Sequence, residues 1–380
     1  MTKLEQLIEQ HCPDGVEYKT LGQCTINTEK IKWSNHQNTD FQYIDLASVD
    51  RDKHVIVETQ SINSDKAPSR AQQIVENKDI LFGTTRPTLM RYCYVPERLD
   101  HQICSTGFCI LRANNHIVLN EWLYHNISSS KFYAYVECTQ KGASYPAISD
   151  KEVKQFKIPV PPLEVQAEIV RILDTFTELA TELATELANR KKQYEYYRDE
   201  LLRIDNNIEK ICLKEIANNI SSGKNKNRFD NGKYPVYGST GVIAKTDNPV
   251  YNKEQILVAR VGANAGFVQI AKGEYDVSDN TLIIDLKTGY ILKYIYYYLV
   301  NKNLNQLARG GGQPLITAGQ LKEVSVPIPS ISIQQRIVKV LDNFEAICSD
   351  LNIGLPAEIE ARQKQYEYYR DKLLTFKEVE

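Results

Sequence analysis

The sequence predicts an α+β chain, in which two mixed α/β domains related by internal duplication are separated by two long helices that pack on each other. Three observations carry this prediction. The octapeptide KQYEYYRD stands at residues 192–199 and again at 364–371, an offset of 172. IPVPPLEVQAEIVRILDTF at 158–176 aligns with VPIPSISIQQRIVKVLDNF at 326–344, and GASYPAIS at 142–149 aligns with GGGQPLIT at 310–317, both at an offset of 168. With 380 residues the chain also exceeds what one hydrophobic core fills, so two domains are expected.

The first domain, residues 1–157, contains short β-branched runs bounded by Gly, Asn and Asp, DILFGTT at 79–85 and GFCILRA at 107–113, which read as strands. The first long helix, 158–205, begins after Pro159, Pro161 and Pro162, where an extended approach tolerates proline. Within it Ile169, Ile172, Leu173, Phe176, Leu179, Leu183 and Leu187 recur at three- and four-residue steps, with Glu178, Glu182 and Glu186 on another face. At ~1.5 Å per residue, some forty helical residues make a rod of roughly 60 Å, longer than a helix covering a small core needs. The second domain, 206–325, places strands at QILVARVG (255–262) and NTLIIDL (280–286) and a helix at YILKYIYYYLV (290–300). That tyrosine-rich helix reads as core rather than as a stacking platform for bases. The second long helix, 326–380, begins after Pro327 and Pro329 and contains Gly354 and Pro356, which predict a kink or break. The two offsets differ by four, so the second helix carries about one extra turn.

Composition narrows the function classes. Hydrophobic residues make up 42% and charged residues 25%, which excludes a disordered scaffold. MTKLEQLIEQ lacks the apolar core of a signal peptide, and the longest apolar run, 290–300, contains Lys293; neither secretion nor a membrane span is expected, and a cytoplasmic location follows. Eight cysteines contain no CxxC, and Cys104 and Cys109 have no His/Cys pair at zinc spacing, so reduced, partly buried thiols and no metal are expected. The net charge of −2 is unevenly spread: residues 163–203 hold nine acids and six bases, and 331–380 nine acids and seven bases, which leaves the remainder at +3.

Catalytic motifs fail one by one. NPVY at 248–251 lacks the second proline of the amino-methyltransferase motif, and no glycine-rich turn accompanies it to hold S-adenosylmethionine; it reads as a turn. RGGGQP (309–314) and SSGKN (221–225) are not P-loops, and DKEVK (150–154) offers no third acid for a metal clamp. The six histidines lie only in the first half. What is duplicated is a Gly/Pro loop, GASYP beside Lys141 and GGGQP beside Arg309, which suits either close approach to a phosphate or base edge or a tight turn leading into the last strand. SSGKNKNRF (221–229) alternates Lys224, Lys226 and Arg228 with Asn225 and Asn227, a pattern fit for neutralising phosphates and bonding base edges, or for a solvated loop.

Together these residues closely resemble the specificity subunit, HsdS, of type I restriction–modification systems. PDGVEYKTLG (13–22), GASYPAIS, the PPLEVQAEIVRILDTF approach, the tandem TELATELATELA (177–188) and RKKQYEYYRDELL carry the resemblance, which spans essentially the full chain and rests on the combination and its repetition. The resemblance implies two target-recognition domains, each reading half of a split, asymmetric double-stranded DNA site, with the two helices antiparallel between them as a spacer. It implies a non-catalytic chain on which two modification subunits dock as an adenine-N6 methyltransferase and two restriction subunits add translocation and cleavage. S-adenosylmethionine would belong to the former, ATP and magnesium to the latter, and no cofactor to this chain. The candidate DNA contacts are Thr84, Thr85, Arg86, Lys141, Ser144 and Tyr145 in the first domain, and Ser222, Lys224, Asn225, Lys226, Arg228, Arg260, Arg309 and Gln313 in the second. Candidate spacer and partner contacts are Leu179, Leu183, Leu187, Tyr194, Tyr197, Arg198, Tyr366, Tyr369 and Arg370. The departure from the family's pattern is GLPAE, which lies near the position of the TELA array in the second helix. Two rivals remain: an enzyme acting alone, disfavoured by the missing cofactor turn, and a structural adaptor, separable only by DNA binding.

Overall fold

The computed structural model describes residues 2–203, 208–226, 229–310, 313–349 and 354–379. They form two compact units, Met1–Glu182 with Ile359–Glu380, and Leu183–Glu358. The rods are therefore divided between the units. The first is one helix of 40 residues, Leu163–Leu202, and the unit boundary falls inside its TELA array. The second rod is described as two helices, Ile331–Ser349 and Leu355–Leu373, consistent with the expected interruption near Gly354 and Pro356; residues 350–353 lie outside the described residues.

In the first unit a ribbon pairs Tyr18–Thr20 antiparallel with Lys157–Pro159, so that the start and end of the globular part meet. One four-stranded sheet runs Gln60–Ile62, Phe41–Ile44, Ile103–Ser105, Ala71–Ile74, with the central pair parallel. A second runs Thr25–Ile26, Phe108–Ala113, Ile80–Gly83, Tyr92–Tyr94, all antiparallel. Strands Ile80–Gly83 and Phe108–Ala113 are buried almost throughout, which is why they read as continuous apolar runs rather than alternating ones. Phe82, Trp122 and Phe132 sit in the core with Val165, Ile169 and Leu173 of the long helix.

The second unit repeats the plan. Lys210–Cys212 pairs with Ser325–Pro327. A four-stranded antiparallel sheet runs Ala217–Ser222, Thr281–Leu286, Gln255–Ala259, Val268–Ala271, and a three-stranded one runs Gly241–Thr246, Tyr234–Gly238, Asp276–Val277, the last pair parallel. The tyrosine-rich helix Leu292–Asn301 is core, as its sequence suggests, with Tyr294, Ile295, Tyr297 and Leu299 buried. NPVY forms a bend whose Tyr251 bridges to and stacks on Tyr275.

Matched polar contacts seat each helix on its domain. Gln166 donates to the Pro161 carbonyl at 2.7 Å and accepts from the Leu119 N–H at 3.0 Å; Gln334 donates to Pro329 at 2.8 Å and accepts from Ile291 at 3.4 Å. Trp122 Nε1 donates to the Pro159 carbonyl at 2.9 Å, and Tyr294 Oη to that of Pro327 at 2.8 Å. Both glutamines are buried, so these bonds fix the helix start rather than ornament it. The octapeptides pack on the other copy's phenylalanine: Tyr369 stacks on Phe176 at 5.4 Å in the first unit, Tyr197 on Phe344 at 5.6 Å in the second. In the second unit Phe344 meets Tyr197 while Cys348 lies within reach of Lys191 and Arg190, so those helices run antiparallel.

Among the described residues no group of His, Cys, Asp and Glu is arranged to hold a metal, and no helix is long and apolar enough to cross a membrane. All eight cysteines are unbridged, and six are buried.

Candidate nucleic-acid interface

In the first unit, strand Ile80–Gly83 gives way to a loop in which Arg86 (φ 48°) and Met90 (φ 58°) take left-handed backbone. Such conformations persist only when neighbours fix them. Here the Arg86 N–H donates to the Pro146 carbonyl at 2.7 Å and the Ile148 N–H to the Thr84 carbonyl at 3.0 Å. The GASYP loop is closed at its base by the reciprocal pair Lys141 and Ala147, with Gly142 at φ 102°, a value that requires glycine. Tyr145 projects at 71% exposure, and the Arg86 guanidinium lies 4.5 Å over its ring. An exposed cation held on an aromatic plate can fork to a guanine edge or a phosphate while the ring offers a stacking face. Ser144 is exposed beside it, and Thr85 is bridged to Ala147.

Two first-unit candidates are placed otherwise. Thr84 is buried, and its hydroxyl donates to the Gly107 carbonyl at 2.9 Å; it fastens the loop to the sheet and is not a reader. Lys141 is exposed but ion-paired to Glu152 at 2.7 Å; with the Ser149 N–H, that bond holds the Glu152 carboxyl down at about 2. A phosphate would have to compete with this carboxylate.

The second unit reproduces the frame with other side chains at its tips. Val261 and Arg309 both bridge to Leu315, the Gly262 N–H donates to Pro314 at 3.0 Å, the Ile316 N–H donates to Arg260 at 2.8 Å, and Gly310 has φ 109°. Gly262 thus stands where Arg86 stands and Gln313 where Tyr145 stands. Gln313 and Arg309 are exposed, whereas Arg260 is half-buried with its Nε enclosed and without a partner among the described residues. Beyond Ser222, Gly223 is so tightly seated that a Cβ would collide with the carbonyls of Val277 and Ser278. Lys224 and Lys226 are exposed, but Asn225 is turned inward: its amide donates to Asp276 at 2.6 Å and its N–H to Val277 at 3.0 Å. Asn225 positions the loop and is not the base-edge donor its alternation with lysine suggests. Arg228 lies outside the described residues.

The topology also locates a counterpart that sequence reading missed. The segment between Thr25–Ile26 and Phe41–Ile44 holds the place that 223–233 holds in the second unit, because each leads into the strand that pairs parallel within its sheet. It carries exposed Lys30 and Lys32 with the amides Asn35, Gln37 and Asn38. The K-x-K pattern followed by amides was the available signal, hidden because the two segments share no alignable run.

On the rods, Leu179 is 39% exposed, and Leu183 and Leu187 are half-buried. Tyr194 packs against the second unit's core and Tyr366 against the first's, where its hydroxyl meets His125 Nδ1 at 3.1 Å; Arg370 is buried. Arg198 and Arg370 lie over the rings of Tyr194 and Tyr366 at 5.7 and 5.4 Å. Tyr194, Tyr366 and Arg370 thus hold rods to units rather than facing a partner. Tyr197 and Tyr369 are themselves exposed, at 46% and 36%; Tyr196 and Tyr368, 63% and 62% exposed and equivalent by the repeat, are more so, and neither was singled out from sequence.

A family model described as the type I restriction modification DNA specificity domain matches residues 13–191 and 206–361. A Haemophilus influenzae protein assigned as a type I restriction enzyme specificity subunit is 33% identical over 307 residues, 70% of this chain and 76% of that protein. The Escherichia coli EcoR124I/EcoR124II specificity subunit is 35% identical over 262 residues, 60% of this chain and 65% of that protein. Among solved structures, a chain from work on complex assembly and conformational transition of a type I R-M system is 26% identical with a TM-score of 0.71, covering 95% of this chain and 98% of that one. The HsdS subunit from Thermoanaerobacter tengcongensis is 25% identical with a TM-score of 0.52, covering 95% and 97%.

Proposed function

The chain belongs to the type I restriction–modification DNA specificity family, and from that premise we propose that it is the non-catalytic subunit that reads a split, asymmetric DNA site, one half per unit. One observation carries the reading: the same loop frame is built twice, with Arg86 and Tyr145 at its tips in one unit and Gly262 and Gln313 in the other. Matched scaffolds with unmatched tips suit two different half-sites presented to two like partners. Two modification subunits carrying S-adenosylmethionine would complete an adenine-N6 methyltransferase on this scaffold, and two restriction subunits would supply ATP- and magnesium-dependent cleavage. The acidic rods need not meet DNA, so a net charge of −2 is compatible with binding through the exposed lysines of the loops.

Co-expression with the modification subunit, followed by methylation mapping at base resolution, tests this. A single two-part motif with an unspecified gap is expected; a contiguous motif, or methylation that does not depend on this chain, counts against it.

A further inference from the structure

Between Gln60–Ile62 and Ile80–Gly83 the first unit takes residues 63–79, whereas the second joins the corresponding strands, Gly241–Thr246 and Gln255–Ala259, through 247–254. The longer connection adds strand Ala71–Ile74, which pairs with Ile103–Ser105 on one side and takes the Lys30 bridge on the other; in the second unit Asn225 bridges to Ser278 directly. The added strand begins beside Arg70, and that end is fixed from several sides. The Ala71 N–H donates to the Pro68 carbonyl, the Thr106 N–H to that of Arg70 and the Ile31 N–H to that of Gln72, each at 2.9 Å. Trp33 Nε1 donates to the Ala71 carbonyl at 3.0 Å, and the buried Gln73 amide donates to the Ser105 and Phe108 carbonyls at 3.0 and 2.9 Å. Pairing with Ile103–Ser105 shifts register between Cys104 and Ser105, and a shift of this kind re-aims the side chain at a strand's end. The Arg70 side chain is exposed, with no ion pair, hydrogen bond or ring partner among the described residues.

Arg70 stands on the edge that carries Arg86. The turn at 105–107 accepts the Thr84 N–H on its Gly107 carbonyl at 2.8 Å and gives its Thr106 N–H to Arg70. Two ladder steps of ~4.8 Å put Arg70 roughly 10 Å from the foot of the Arg86 loop, a span of about three base pairs at ~3.4 Å each. The two arginines therefore meet different positions on a duplex. The second unit makes the same two bonds, from the Arg260 N–H to Asn280 at 3.0 Å and from the Asp279 N–H to Asn225 at 3.3 Å, so Asn225 stands where Arg70 stands. The Asn225 amide is already engaged by Asp276, whereas the Arg70 guanidinium has all its donors left.

We propose that Arg70 is a specificity-determining residue of the first unit, reading a base edge in that half-site where the second unit offers only the engaged Asn225. A planar fork on a fixed backbone suits the O6 and N7 of guanine, while a phosphate needs only a point charge, which lysine supplies equally well. The inference rests on the reading of one half-site per unit and adds a second reading point to one of them.

The probes are duplexes carrying the motif found by methylation mapping, intact and with each base pair replaced in turn, competed for the complex of the full chain with its modification subunit. Arg70→Ala, Arg70→Lys and Arg86→Ala are compared. Arg70→Ala should lower discrimination roughly tenfold or more at one position. That position should lie in the half-site kept when residues 208–325 are exchanged, and should differ from the one relaxed by Arg86→Ala. The other half should be unchanged, and Arg70→Lys should not restore the loss, because an ammonium does not fork. Arg70 is exposed and outside the core, so the variants should melt with the parent chain. Unchanged discrimination overturns the proposal, and so does a uniform loss on every sequence that Arg70→Lys repairs, which would make Arg70 a phosphate contact. If Arg86→Ala relaxes one position and Arg70→Ala none, Arg70 is discarded and the half-site reading stands. If exchanging residues 208–325 alters both halves, the half-site reading itself falls.

Discussion

Arg86 gathers a left-handed backbone, a free cation and an aromatic plate at one exposed point, and the Pro146 carbonyl that fixes its N–H belongs to the loop that supplies the plate. Arg86→Ala should therefore cost about 1–3 kcal/mol of discrimination at one half-site. Competition binding of the assembled complex against singly substituted sites checks this, and an equal loss at both halves would refute the assignment. Lys224→Ala with Lys226→Ala should instead weaken all sequences alike and reduce the salt slope by about 0.9 per lost phosphate contact. Binding isotherms at several salt concentrations read this directly. A pH effect belongs to Glu168, which is buried and bonded by Arg171 and Lys3, each at 2.7 Å; Arg171 first and Lys3 second hold its carboxyl down at about 2 from an ordinary 4.5. Because the folded value is depressed, this stabilisation is present above 4.5 and is lost as pH falls from there toward 2. Glu168→Gln should flatten the melting temperature across that window; a slope equal to that of the parent chain would discard the pair as a source of acid sensitivity.

At the scale of elements, the boundary between the two compact units falls inside TELATELATELA of the long helix, so the proposed gap between half-sites is tested by changing the length of that stretch. Each TELA unit advances ~6 Å along the helix and ~40° around it. On B-DNA one base pair supplies ~3.4 Å and roughly 35°, two supply twice that. Translation favours two base pairs and rotation favours one. Rotation decides, because a reading loop turned ~35° out of register faces backbone rather than groove, while a few ångströms are absorbed by bending. Deleting residues 181–184 should shorten the unspecified gap by one base pair and leave both half-sites intact, as methylome sequencing would show. An unchanged gap would reduce TELA to a good helix former of Ala, Leu and Glu.

For the whole molecule, the duplication predicts modular specificity. Exchanging residues 208–325 for those of a relative keeps both rods and should change one half-site only, read by the same methylation mapping. A change in both halves would break the two-reader description. The isolated chain should bind no S-adenosylmethionine, since the failed NPVY motif sits in a bend beside Tyr275 and no glycine-rich cofactor turn accompanies it. Calorimetric titration of that cofactor into the purified chain tests this, and any stoichiometric heat would contradict it.

The duplication, the helical rods, the interruption at Gly354 and Pro356 and the buried role of the tyrosine-rich helix were legible in the sequence, because identity at a fixed offset and apolar periodicity are local signals that survive without coordinates. The duplicated loops could be seen, but not what their residues do. Thr84 and Asn225 look like free hydrogen-bonding groups until the fold engages them with Gly107 and Asp276, and Lys141 looks like a free cation until Glu152 comes beside it. Only tertiary structure could show that each octapeptide packs on the other copy's phenylalanine, since those partners lie well over a hundred residues apart. It alone also showed that Lys30 and Lys32 hold the place of Lys224 and Lys226, because that equivalence lies in sheet pairing rather than in residue identity. Sequence determined which elements form and how often; long-range packing decided which side chains remain free to meet a ligand.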